Sequence, residues 1–98
     1  MLLVVEDDPI QRTVLAELLR NAGHRILEAQ NGSEALALLD AYAQDITLVI
    51  VNYFLGKNRS LLVESIRERW PIGWILLLLP PYGLCDIAKI VADKLAED

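Results

Sequence analysis

Three short, almost wholly apolar runs and one half-polar run alternate along the chain with segments in which apolar residues recur every three or four positions. Leu2-Leu3-Val4-Val5 stops abruptly at Glu6-Asp7-Asp8, as a strand buried on both faces does at its carboxyl end. Asp8, Pro9 and Gln11 then have the form of an N-cap, a proline at the first helical position and a capping-box partner. Ile10, Val14, Leu18 and Leu19 repeat at helical spacing, which predicts a helix over 9–21 with these residues on its apolar face. Gly23 is placed to supply the left-handed residue that ends it. Arg25-Ile26-Leu27-Glu28-Ala29 reads as a short half-polar strand, and Asn31-Gly32-Ser33 turns the chain into the helix formers of 34–39.

Ile46-Thr47-Leu48-Val49-Ile50-Val51 has the β-branched, apolar character of an interior parallel strand. Residues 52–59 carry Gly56 and two asparagines and read as a loop; Ser60 is placed to cap a helix through Arg69 that Pro71 stops. Trp74-Ile75-Leu76-Leu77-Leu78-Leu79 is a fourth strand, ended by Pro80-Pro81 because neither proline can donate to a ladder. From Leu84 to about Glu97, Ile87, Ile90, Val91 and Leu95 share one helical face. Strands alternating with helices of this length imply an α/β fold: a doubly wound parallel sheet with right-handed crossovers, whose ligands bind beyond the carboxyl ends of the strands.

Ninety-eight residues make one domain, 1–98, and a chain that is 54% hydrophobic and 23% charged is built to fold rather than to remain disordered. The longest apolar run is far shorter than the ~18 residues of a spanning helix, and no basic segment precedes Leu2, so the chain is expected in the cytoplasm with no membrane partner. One cysteine, Cys85, permits neither an internal disulfide nor a cysteine-based zinc site, and reads as a small packing residue. A net charge of −5 with scattered arginines argues against direct nucleic-acid binding. His24 has no second histidine or cysteine at metal-ligand spacing, and Trp70 and Trp74 are expected to pack around the start of the fourth strand.

The residues at the predicted strand ends carry the chemistry. Asp8 is explained by capping, whereas Glu6 and Asp7 form a carboxylate pair of the kind that holds Mg²⁺ together with water and a phosphate. Leu2-Leu3-Val4-Val5-Glu6-Asp7-Asp8-Pro9, Gly32-Ser33-Glu34-Ala35-Leu36 and Ile50-Val51-Asn52, with Asn52 standing 45 positions after Asp7, together resemble the receiver domain of two-component response regulators. The resemblance implies a flavodoxin-like sheet, here shortened to four strands in the order 2-1-3-4. It also implies an acid pair that binds Mg²⁺, an aspartate ending the third strand that accepts a phosphoryl group, a Thr or Ser ending the fourth strand and a Lys ending a fifth.

Glu6 and Asp7 match the acid pair. Asn52 occupies the phosphoacceptor position, where a neutral amide cannot become an acyl phosphate, and Pro80 stands where the family keeps its switch hydroxyl. The family's lysine would fall beyond residue 98. No cofactor is required on this reading; Glu6, Asp7 and Asn52 would hold Mg²⁺ only weakly, because one ligand has lost its charge. With the fourth strand at an edge, residues 74–79 and Ile87, Ile90 and Val91 of the last helix are expected to form an apolar surface that a homodimer covers. The leading expectation is a receiver-like module in two-component regulation, not an enzyme, acting by protein contacts without phosphorylation. The alternatives are a conventional phosphorylatable receiver carrying an Asp-to-Asn change or cut short, and a small-ligand sensor.

Overall fold

The computed structural model describes residues 1–52, 59–71, 73–78 and 84–96. The loop expected after Asn52, and Leu79 and Pro80, lie outside the described residues, as do the side chains of Asn52, Ser60, Leu77, Leu78 and Cys85. Elements follow in the order β1 (Leu2–Val5), α1 (Pro9–Asn21), β2 (Ile26–Ala29), α2 (Gly32–Tyr42), β3 (Leu48–Asn52), α3 (Arg59–Arg69), β4 (Trp74–Leu78) and α4 (Leu84–Leu95). The strands form one parallel sheet in the order β2-β1-β3-β4, which is the flavodoxin-like arrangement.

β1 and β3 are central, and residues 2–5 and 48–51 are buried throughout. Alternate side chains feed two cores. Leu2, Val4, Leu48 and Ile50 meet Leu15, Ala16 and Leu19 of α1 and Ile87 and Val91 of α4, whereas Leu3, Val5, Val49 and Val51 meet Ala35 and Leu39 of α2 and Leu62, Ile66 and Trp70 around α3.

The placement of α4 carries topological meaning. The two steps from β2 to β3 and from β3 to β4 run over the α2–α3 face, while the step from β1 to β2, taken in the opposite direction, uses the other face. A right-handed crossover to a strand outside β4 would again use the α2–α3 face. Helix α4 instead lies with α1, closing that face over β3 and β4.

Several local expectations are corrected. Ile10 is 75% exposed and Val14 is also exposed, because Leu15, Ala16 and Leu19 set the inward phase of α1. At 3.6 residues per turn, Ile10 and Val14 point about 140° and 100° away from Leu15. Ser60 lies inside the first turn of α3, which starts at Arg59, so it is not the cap. Ile87 and Val91 are buried in the chain's own core and are not available to an interface; Ile75 and Leu76 also pack partly inward, against opposite faces of the sheet. The end of α1 is as expected. Gly23 adopts φ +99°, its N–H bonds the Arg20 carbonyl and the His24 N–H bonds that of Leu19, a Schellman closure.

Trp70 is buried while Trp74 is 41% exposed, and between them Gly73 donates to the Trp70 carbonyl. A Cβ on Gly73 would stand 1.9 Å from Trp70 Cε3. Gly73→Ala should therefore displace a core indole and cost about 1–3 kcal/mol, read by urea unfolding, with the midpoint falling at unchanged slope.

Candidate functional site

The apolar core of β1 ends at Val5, and the next three residues form an acidic turn held by short-range hydrogen bonds. Asp8 Oδ1 accepts from the Ile10 N–H at 2.8 Å and the Gln11 N–H at 3.3 Å, making Asp8 the N-cap of α1. The Asp8 N–H, which a capping box would direct to Gln11, instead donates to Glu6 Oε1 at 3.1 Å. Glu6 is only 3% exposed and extends the β1–β2 ladder through its N–H to the Ala29 carbonyl at 3.0 Å. Asp7 and Asp8 face solvent.

This environment pushes the Glu6 carboxyl up from 4.5 to about 7. Burial is the main cause; the hydrogen bond with the Asp7 side chain and the negative charges of Asp7 and Asp8 add to it, against the lowering effect of the Asp8 N–H.

Arg12, which sequence patterning missed, anchors the turn. Its Nη1 donates to the Glu6 carbonyl at 2.9 Å and its Nε lies 3.7 Å from Glu28 Oε1 on β2. Arg20 closes on the other Glu28 oxygen at 3.2 Å and on the Ile26 carbonyl. The signal available in the sequence was slight: two arginines at 12 and 20, two turns apart on α1, and one acid inside an otherwise apolar strand.

Val5 pairs with Val51, so Asn52, the last residue of β3, comes level with Glu6 at the carboxyl ends of the two central strands. Glu6, Asp7 and the backbone of Asn52 are thus brought to one end of the sheet. Trp74, at the start of β4, and half-buried His24, in the turn after α1, belong to the opposite end. A shallow cavity of about 700 Å³ between Ile46, Thr47, Trp70 and Trp74 also lies there, away from the acids.

The donor set falls short of the Mg²⁺ site that the resemblance implies. Among the described residues no group of three His, Cys, Asp or Glu side chains could hold a metal ion, and Glu6 turns one oxygen to a backbone N–H. Two carboxylates next to a neutral amide position make a weaker hard-cation site than three. No described helix is long and apolar enough to cross a membrane.

Residues 2–73 match the response regulator receiver domain. The chain belongs to that family, and so to two-component signalling. Among curated relatives, the aerobic respiration control protein ArcA of Escherichia coli is 35% identical over 77 residues, covering 78% of this chain and 32% of that protein. The sensor histidine kinase RcsC of Salmonella typhimurium is 44% identical over 98 residues, all of this chain and 9% of that protein. The chain therefore spans a third or less of the length of these relatives. The crystal structure of the receiver domain from the hybrid histidine kinase CckA superposes with a TM-score of 0.83 at 28% identity, over 96% of this chain and 97% of that one.

A carboxyl whose folded-state pKa is raised costs nothing while both states are protonated. Its cost grows as pH rises from the unfolded value near 4.5 through the folded value near 7. Stability should fall between pH 5 and pH 8 by on the order of 2 kcal/mol, a figure reduced for solvent around Asp7. Denaturant unfolding at several pH values checks this, and Glu6→Gln should flatten the profile across that window.

Proposed function

We propose that the chain is an atypical receiver module that regulates by protein contact without aspartyl phosphorylation. The observation that carries this reading is Asn52, placed at the end of β3 and level with the buried Glu6. Phosphoryl transfer at that position needs a carboxylate oxygen as nucleophile and an acyl phosphate as product, and a carboxamide provides neither. Pro80 brings no hydroxyl to the position where the family reads the phosphoryl group. The acid pair then serves as a fixed acidic turn at the mouth of the sheet, with at most weak Mg²⁺ binding and no required cofactor. The partners are regulatory proteins in the cytoplasm rather than nucleic acid, in keeping with a net charge of −5.

Incubation with acetyl phosphate and Mg²⁺ followed by intact-mass measurement should give no phosphoryl adduct. A stoichiometric, base-labile adduct would restore the reading of a conventional switch. Asn52→Asp should strengthen Mg²⁺ binding at least about tenfold by calorimetry, since the site regains a charged ligand. Partner capture by that variant should nevertheless remain indifferent to phosphodonor, because no hydroxyl returns at Pro80.

A further inference from the structure

The two outer strands of the sheet are defended differently. β2 is four residues long and carries Glu28, which Arg12 and Arg20 bracket at 3.7 and 3.2 Å, a charged edge of the kind that discourages strand addition. β4 is Trp-Ile-Leu-Leu-Leu with no charge, and no described strand pairs with its outer side. Helix α4 does not cover that side, since it packs over the α1 face.

Helix α4 carries a pattern that matches its own inverse. Asp86 in its first turn, Ile90, and Lys94 in its last turn are spaced four apart, so they form one stripe along the helix. This stripe borders β4, because Lys94 Nζ sits 4.3 Å above the Trp74 ring. Asp86 is exposed, and Ile90 and Lys94 are half-buried. A two-fold axis at Ile90 sends Asp86 onto Lys94 and Lys94 onto Asp86.

An antiparallel pairing of β4 with itself has its own centre at Leu76, exchanging Trp74 with Leu78. Ile90 lies about 6 Å along α4 from Lys94, and Leu76 about 6.6 Å along β4 from Trp74. With Lys94 Nζ over the Trp74 ring, the two centres fall at similar heights to within the reach of these side chains, so that a single axis can serve both. Strands 4.8 Å apart, with each α4 above β3 and β4, would set the helix axes about 10 Å apart, an ordinary packing distance.

We infer that the outer edge of β4 pairs antiparallel with that of a second copy of this chain, placing Asp86 of each α4 against the partner's Lys94. The dimer is a continuous sheet of two protomers, with Ile90 and Trp74 covered at the junction. The inference rests on the protein-contact half of the proposed function and is independent of the phosphoryl chemistry, which the phosphodonor experiment tests separately.

Size exclusion with light scattering over a dilution series at 0.15 M salt should give twice 11.0 kDa at the higher concentrations. Asp86→Lys alone and Lys94→Asp alone each set like charges opposite each other twice, and should weaken the dimer at least about tenfold while far-ultraviolet circular dichroism stays unchanged. Mixing the two variants sets Lys against Asp at both contacts, and should restore a dimer of mixed composition that native mass spectrometry identifies. The β4 amides that point away from β3 should resist hydrogen exchange at dimer-forming concentrations and lose that protection on dilution. A monomer at every concentration, reversals without effect, or a mixture that stays apart would each overturn the inference.

Discussion

The parallel pairing of β1 with β3 is the constraint on which the remaining structure depends. Residues 2–5 and 48–51 face each other in register with every side chain at 1% exposure or less. Burial on both faces leaves the two strands no freedom to slip, because a shift by one residue would exchange the sets that meet α1 and α2. Each such side chain is worth about 1.5–3 kcal/mol of apolar transfer. The register then decides where polar chemistry can begin. Glu6 and Asn52 are the first polar residues beyond the apolar blocks, and they stand level because Val5 stands opposite Val51.

The acidic turn is built by competition for few donors. Glu6 is buried by continuation of the ladder, and its carboxyl takes the Asp8 N–H while Asp8 takes the free amides of the first turn of α1. Arg12 holds the Glu6 carbonyl but directs its charge to Glu28, so its guanidinium does not neutralise the acid cluster. That division leaves burial, aided by Asp7 and Asp8, to push the Glu6 carboxyl up to about 7.

Much of this was legible in the amino-acid sequence. The eight elements and their order follow from the alternation of short apolar blocks with helical spacing, the sheet order follows from the resemblance, and the acid turn and its Asp8 cap follow from Glu6-Asp7-Asp8-Pro9. What the pattern could not fix was phase. Ile10 and Val14 share the spacing of an inward face, yet the sheet selects Leu15, Ala16 and Leu19, since only tertiary packing decides which of two overlapping apolar stripes turns inward. The same limit made Ile87 and Val91 look like interface residues when α4 spends them on its own core. Arg12 was invisible for another reason: its partners lie on β2 and at a backbone carbonyl, which no side-chain pattern encodes. The role attached to position 52 came from resemblance, since composition and spacing alone mark only a strand end.

Helix α4 is where the chain's two requirements meet. The family match ends at residue 73, just ahead of β4, so the last strand and helix are the part of the fold for which the match says least. Their physics is nonetheless constrained. Ile87 and Val91 must be inward to close the core over Leu48 and Ile50, and helical geometry then leaves residues 86, 90 and 94 on the neighbouring stripe toward β4. A chain needing only solubility could have filled that stripe with charges of one sign, which would repel any copy approaching the apolar strand beside it. The stripe instead reads acid, isoleucine, base, which is attractive to its own two-fold image and places its apolar member at the centre. Asn52 closes β3 with a carboxamide, and the edge of β4 with the outer stripe of α4 is a surface whose shape the core packing of Ile87 and Val91 already sets.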